Sequence, residues 1–173
     1  MAVWQWKLNL VSRENLLGRF PNIPLYIEEE WFYDIPCCKT TFLEELKVFF
    51  NSLIERSFDP TVANNVLSWG ENNKNEVDIV LEGDLISLLS IQINTRDVDN
   101  YFIESLVKFA KIKDFVFWEL ESGKIIEPEL SIFLKELNNS RAMLFSQNPN
   151  QFFSDKKYLD KINKENIGKV DKD

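Results

Sequence analysis

The 173-residue chain contains no histidine, and this absence removes several classes of enzyme. Histidine is the side chain whose ordinary pKa lies closest to neutrality, so the commonest general base is missing. The serine–histidine–aspartate and cysteine–histidine arrangements of nucleophilic catalysis are excluded for the same reason. Every metal site that requires an imidazole ligand is excluded as well.

Glycine and cysteine are also scarce. Only five glycines are present, and neither GxGxxG nor GxxxxGK[ST] occurs, so both glycine-rich nucleotide-binding loops are absent. The two cysteines, Cys37 and Cys38, are neighbours and cannot build a zinc or iron–sulfur site alone. A disulfide between adjacent residues is strained, so we expect buried, reduced thiols; a redox role for the pair stays open. The residues predict no cofactor and no bound metal.

Long apolar runs and basic charge are missing too. No run approaches the roughly 20 residues of a membrane span, and MAVWQWKLNLV lacks the basic and apolar regions of a signal peptide. Lys and Arg number 20 against 28 Asp and Glu, a net charge of −8. Clustered basic residues attract nucleic acid and anionic membranes, so neither is an expected partner. We predict a cytoplasmic protein whose charge favours a basic partner.

Apolar residues are abundant: 45% of the chain is hydrophobic and 13% aromatic, enough for a substantial core. Alternation of apolar and polar residues over 2–11 predicts a half-buried strand. Three strands are predicted within 62–94, with Glu82–Asp84 as a hairpin turn. A buried strand at 114–120 turns back into 124–128. The proline-punctuated region 20–36 is expected to be a short strand or irregular.

Helical spacing of apolar residues predicts three helices. The first begins at a capping box at 41–44 and runs to about Ser57. The second covers about 100–111, and the third begins at Pro128. The fold class is therefore α+β: an antiparallel sheet of about five to six strands, a meander plus a hairpin, with about three helices packed on it.

Residues 1–153 are predicted to form this single domain. Residues 154–173 are predicted to form a charged, partly ordered C-terminal tail, because lysines and acids dominate there and few apolar residues could anchor it.

A carboxylate-dependent, divalent-metal hydrolase is the catalytic alternative. Nuclease hairpins hold a cation with an aspartate on one strand and Glu-x-Lys on the next. This chain offers Asp78, but its next strand reads Gln92-Ile93-Asn94 and supplies neither a charge nor a lysine. Glu119 and Glu121, at a turn, are the other candidate ligands. The hypothesis requires at least two of the three carboxylates around one ion.

A stretch between prolines combines three acids with three aromatics. Aromatic anchors with a charged rim are typical of protein–protein contacts, and acidic residues steer a basic partner toward its site. Alternatively, Trp31 and Tyr33 enter the core while the acids face water. The partner-binding residues predicted from this stretch are Glu28, Glu29, Glu30, Trp31, Phe32 and Tyr33.

The region after Phe117 contains Trp118-Glu119-Leu120, Ile126-Glu127-Pro128 and the stretch SRAMLFSQNPNQFF at 140–153. This stretch resembles the S-R-A-x-x-F-x-x-x-P-x-x-F ending of a group of small uncharacterised bacterial proteins. The preceding meander and helix look similar too, so the resemblance covers about 69–153. It implies membership of that group and no particular activity.

In size, acidity and α+β composition the chain is also similar in general character to bacterial immunity proteins, which neutralise toxic enzymes by binding them. We therefore predict a non-catalytic cytoplasmic protein-binding domain, an immunity-type neutraliser of a basic partner protein. Two alternatives stay open: the metal-dependent hydrolase, and a structural subunit of an oligomer. The sequence leaves the oligomeric state undetermined.

Overall fold

The computed structural model describes residues 4–57, 64–71 and 73–150, which form an α+β fold. The strands are β1 (Gln5–Ser12), β2 (Cys38–Lys39), β3 (Arg56–Ser57), β4 (Val66–Gly70), β5 (Glu76–Glu82), β6 (Leu85–Asn94), β7 (Phe115–Glu119) and β8 (Ile125–Ile126). The α-helices are α1 (Arg13–Arg19), α2 (Glu29–Phe32), α3 (Leu43–Asn51), α4 (Asn100–Ile112), α5 (Leu130–Asn139) and α6 (Arg141–Gln147).

All of these strands belong to one sheet in the order β3-β4-β5-β6-β1-β7-β8, with β2 paired to the start of β6. Each neighbouring pair is antiparallel. The first strand of the chain therefore lies between the β4–β6 meander and the β7–β8 hairpin. This central position explains why the strand predicted from residue alternation is buried along most of its length.

One face of the sheet carries the main hydrophobic core. Successive strand residues point to opposite faces, so Trp6, Leu8 and Leu10 all point to this side of β1. Helices α3, α4, α5 and α6 cover it, and their buried side chains include Phe50, Phe102, Phe133 and Met143.

The other face is divided into a covered half and an open half. Residues 13–36, which we call the cap, contain α1 and α2 and cover the β7–β8 side of this face. A second cluster forms there from Val11, Val116, Trp118 and Ile125 of the sheet and Leu16, Ile27, Phe32 and Ile35 of the cap. The open half, over β4, β5, β6 and part of β1, is mainly polar.

The structure confirms the α+β class, the antiparallel meander and the hairpin, but it has more elements than predicted. Within the described residues the sheet has eight strands and there are six α-helices, against about five to six strands and about three helices predicted. The additional elements are short, such as α1, α2, β2 and β3. Elements of two to seven residues contain too few positions to show a period in the sequence.

The helix predicted over 41–57 is shorter in the structure. A 3-10 turn at Thr40–Phe42 precedes α3, which ends at Asn51, and β3 follows it. The capping box predicted at 41–44 does not form, since α3 has no side-chain cap hydrogen bond. Just before it, Thr40 Oγ1 donates to the Asp84 carbonyl oxygen at 3.1 Å. Tertiary pairing with the β5–β6 turn overrides the local capping signal.

The helix predicted from Pro128 is divided at Ser140. The backbone of Ser140 is extended, with ψ of 149°, and its hydroxyl accepts the N–H of Met143 at 3.2 Å. Serine is a preferred N-cap, and it ends α5 and begins α6. The predicted tail at 154–173 lies outside the described residues, as do Phe152 and Phe153. None of the helices in the described ranges is long and apolar enough to cross a membrane.

Candidate partner-binding surface

The stretch from Glu28 to Tyr33 lies on the outside of the cap and forms one helical turn. The Phe32 N–H donates to the Glu28 carbonyl at 3.1 Å, and the Tyr33 N–H donates to the Glu29 carbonyl. The sequence indicated a strand or an irregular segment here. A helix is favoured because three glutamates at its N-terminus complement the helix dipole and its one buried position, Phe32, contacts the sheet.

Phe32 holds this turn in place from beneath. Only 2% of the side chain is exposed, and its ring stacks on that of Trp118 with 4.0 Å between centroids and 5° between planes. The Trp118 indole N–H in turn donates to the Ile27 carbonyl at 3.0 Å. Of the six predicted contact residues, Phe32 therefore belongs to the core and cannot touch a partner directly.

The junction between the cap and the sheet is close-packed at Gly123. Its φ of +71° is a left-handed conformation that favours glycine, and a Cβ there would lie 2.5 Å from the Ile27 carbonyl oxygen. The Gly123 carbonyl accepts the Ile27 N–H at 2.7 Å. The cap therefore meets the β7–β8 turn by direct backbone contact, which gives α2 a rigid base.

Trp31 and Tyr33 point away from this base. They are 52% and 54% exposed, and each touches the protein along one side. The Arg19 guanidinium lies 5.6 Å from the Trp31 ring centroid, and the Tyr33 ring meets Trp118 edge-on at 6.2 Å. Partial burial, and then the neighbouring Glu29 carboxylate, raise the pKa of Tyr33 above its ordinary value. The alternative prediction, that Trp31 and Tyr33 enter the core, is wrong, because both rings are about half exposed.

The surface around them is acidic. Glu28, Glu29 and Glu30 are exposed, and Asp34 follows with a long ion pair to Arg19 at 3.8 Å. Within the described ranges neither Glu28 nor Glu30 takes part in an ion pair. We call Glu28, Glu29, Glu30, Trp31 and Tyr33 the acidic–aromatic surface.

The cap exposes further apolar side chains that sequence reasoning missed. Leu17 lies on α1, and Leu25 and Tyr26 lie on the segment that leads into α2; all three are exposed. Tyr26 and Leu25 are placed there by pairing with the β8 edge, where the Ile125 N–H donates to the Leu25 carbonyl at 2.8 Å. Only the adjacency of Leu25 and Tyr26 to the acidic stretch hinted at this surface.

The carboxylates of the hydrolase hypothesis are not gathered at one place. Asp78 lies on the open sheet face, where it accepts the Ser68 hydroxyl at 2.6 Å. Glu119 points to the helix-covered face and accepts the Trp6 indole N–H and the Ser122 backbone N–H, both at 3.1 Å. Among the described residues, no three His, Cys, Asp or Glu side chains are grouped as metal ligands.

Glu121 lies close to Glu119 and not to Asp78. Partial burial, and then the charge of Glu119, raise the pKa of Glu121, whereas Arg141 opposes the shift. Glu119 already accepts hydrogen bonds from Trp6 and Ser122, which account for it as a structural carboxylate. The arrangement of Asp78, Glu119 and Glu121 therefore gives no support to a shared cation site.

Cys37 and Cys38 are buried free thiols whose sulfurs lie 3.8 Å apart. Burial, and then the neighbouring Cys38, raise the pKa of Cys37 well above its ordinary value. A thiol held in its protonated form is a poor nucleophile, so the pair acts here as apolar packing.

Comparison with protein-family models, with curated proteins and with solved structures finds no match for this chain. The resemblance to the small bacterial group stays a prediction, and the surface geometry is the basis for assigning a function.

Proposed function

We propose that the protein is a non-catalytic cytoplasmic binding protein that docks its acidic–aromatic surface onto a basic partner protein, in the manner of immunity-type neutralisers. The observation that carries the proposal is the pairing of two half-exposed rings, Trp31 and Tyr33, with three exposed glutamates on one helical turn. Exposed apolar groups that lie together within a polar rim are typical of protein–protein contact sites.

The rigid base of this turn supports such a role. Tryptophan and tyrosine dominate the energetics of many protein interfaces, because they bury a large area with few rotatable bonds. Phe32 and Trp118 hold the turn in the unbound protein, so little ordering is required when a partner binds. The two aromatic rings would supply affinity and slow dissociation.

The glutamates supply the second component, which is fast and selective encounter. Negative charge at the rim of an interface accelerates association with a positively charged partner and disfavours acidic ones. Because these charges are exposed, the effect should weaken as salt rises toward and beyond physiological ionic strength.

The test begins with capture of binding proteins from extract of the cells that make this chain, followed by kinetics with the purified partner. Trp31→Ala should accelerate dissociation at least tenfold, as expected for an interface hot spot. Glu28→Lys with Glu30→Lys should slow association about tenfold or more at low salt, and less at high salt.

The matched control is Glu44→Lys with Glu104→Lys, which changes the net charge equally. Both residues are exposed on α3 and α4, on the opposite side of the sheet from the cap. If this control slows association as much as the Glu28 and Glu30 changes, or if Trp31→Ala has no effect, the acidic–aromatic surface is not the interface.

A further inference from the structure

The open half of the second sheet face carries a continuous polar row. Residues directly opposite each other in neighbouring strands share one face. Ser68, Asp78, Ser90 and Asn9 are paired in sequence across β4, β5, β6 and β1. The next row along the strands pairs Glu76, Gln92 and Lys7. We call Lys7, Asn9, Glu76, Asp78, Ser90 and Gln92 the polar face.

Two carboxylates on this face lack a close counter-ion. Glu76 and Asp78 are two residues apart on β5 and half-buried, and neither has an ion pair in the part of the chain that the structure describes. Among the residues that the structure describes, Glu76 accepts a hydrogen bond from the Gln5 amide alone, at 3.3 Å. Burial, and then the charge of Asp78, raise the pKa of Glu76, and the Gln5 hydrogen bond and Lys7 offset this only in part. Two negative charges face one ammonium, so one more positive charge would balance the face.

A second observation points to a ligand at the same place. Asn9 is 4% exposed, yet its side-chain amide has no hydrogen-bond partner among the described residues. The amide is not fully enclosed, so a small part of it keeps contact with solvent. Buried amides are nearly always hydrogen-bonded, because an unmade bond there costs free energy. Asn9 lies between Ser90 and Trp118 in the row that begins at Ser68.

We propose that the polar face is a guanidinium site that receives an arginine side chain of the basic partner. Asp78 and Glu76 face its charge, and Ser90 and Asn9 accept its remaining N–H groups. The assignment of the arginine to that partner rests on the proposed function. Guanidinium presents five donors in a planar fork, which suits several acceptors on adjacent strands better than the compact ammonium of lysine does.

The polar face adjoins the acidic–aromatic surface. Trp118 is the strand neighbour of Asn9, and its ring lies against Phe32 and, at 6.2 Å, against Tyr33. A partner that covers Tyr33 can therefore place an arginine on the polar face without moving the cap. An anion would be repelled there, and a neutral ligand would leave the excess charge unbalanced.

The site can be tested with the full chain and a defined probe. Arginine with both ends capped is titrated into the ¹⁵N-labelled protein, with capped citrulline as the neutral isostere and capped lysine as the second cation. Capped arginine should shift the Asn9 side-chain amide and the Ser90 and Gln92 backbone signals, and citrulline should not. Asp78→Asn and Glu76→Gln should each weaken the arginine about fivefold or more, because each removes a charge-assisted contact.

Glu104→Gln on α4 is the control and should leave the arginine titration unchanged. The spectrum of each variant before titration shows whether it is folded. Three results would each overturn the guanidinium site. They are equal shifts with citrulline or with a neutral sugar, arginine shifts confined to another surface, and broadening of the Asn9 signal by stoichiometric Mn²⁺.

The two proposals fail in different ways. If arginine binds the polar face but the Glu28 and Glu30 changes leave partner kinetics unaltered, the acidic–aromatic surface is wrong and the guanidinium site stands. If partner binding depends on Trp31 while arginine leaves the polar face unshifted, the guanidinium site is wrong and the proposed function stands.

Discussion

Replacing Phe32 with alanine should cost this protein a large part of its stability, although the residue lies in a four-residue helix at the surface of the cap. The ring is 2% exposed and stacks on Trp118 at 4.0 Å. Burying a benzyl side chain instead of a methyl removes on the order of 100 Å² more apolar surface from water, about 2.5 kcal/mol at 25 cal/mol/Å². The aromatic stack adds about 0.5–1.5 kcal/mol.

The sum, about 3–4 kcal/mol, lies within the 3–5 kcal/mol range typical of Phe→Ala changes in cores. Trp31→Ala is the matched control on the same turn. Its ring is 52% exposed and has one cation–π contact to Arg19, so its loss should cost about 1 kcal/mol or less. The two variants therefore separate a structural aromatic from a binding one.

Urea unfolding followed by far-UV circular dichroism measures both changes. With a denaturant slope of about 2 kcal/mol/M, Phe32→Ala should lower the unfolding midpoint by roughly 1.5–2 M and Trp31→Ala by roughly 0.5 M or less. A loss below about 1 kcal/mol for Phe32→Ala, or equal losses in the two variants, would refute the packing of α2 against Trp118.

Two further predictions concern backbone strain and titration. Gly70→Ala should destabilise the protein by about 1–3 kcal/mol or more, since φ is +90° and a Cβ would lie 2.0 Å from the Asn75 carbonyl oxygen. Gly18 lies on α1, where a Cβ would meet no other atom within 4 Å. Gly18→Ala should therefore stabilise the protein by roughly 0.5–1 kcal/mol. The urea unfolding midpoint should fall for Gly70→Ala and rise for Gly18→Ala, and equal midpoints in the two variants would contradict the Gly70 geometry. The folded-state pKa of Glu76 is raised, so its contribution to stability is present below the unfolded pKa and is lost as pH rises through the folded pKa. Glu76→Gln should therefore gain stability relative to the natural chain between pH 4 and pH 7, and a difference that does not change with pH would count against the raised pKa.

The acidic–aromatic surface and the polar face are both products of how one strand is placed. Because β1 lies between β6 and β7, Asn9 is set beside Trp118, and the cap that follows β1 folds back over Trp118. The position of β1 in the sheet thereby places the exposed aromatic turn beside the charged sheet surface.

Local patterns in the sequence were sufficient for the largest elements. Alternation over β1, the meander β4–β6 and the apolar stripe of α4 are short-range signals, and the structure confirms each of them. Helix α4 begins where the helix over 100–111 was predicted, and the Asp99 carboxylate, as its N-cap residue, accepts the Phe102 N–H at 3.0 Å. The acidic stretch of the candidate surface could be predicted from the sequence, because three consecutive glutamates are expected to be exposed.

The tertiary structure decided which residues are buried where the local sequence pattern treats them alike. Trp31, Phe32 and Tyr33 are consecutive aromatics, yet only Phe32 is buried, because Trp118 from a distant strand receives its ring. The capping box predicted at 41–44 is absent for a similar reason, because the chain beside it pairs with the β5–β6 turn through Thr40 and the Asp84 carbonyl. Local propensity acts within a few residues, whereas the side of the sheet on which a residue finds a partner depends on strand order. Strand order is set by the pairing of surfaces far apart in the chain.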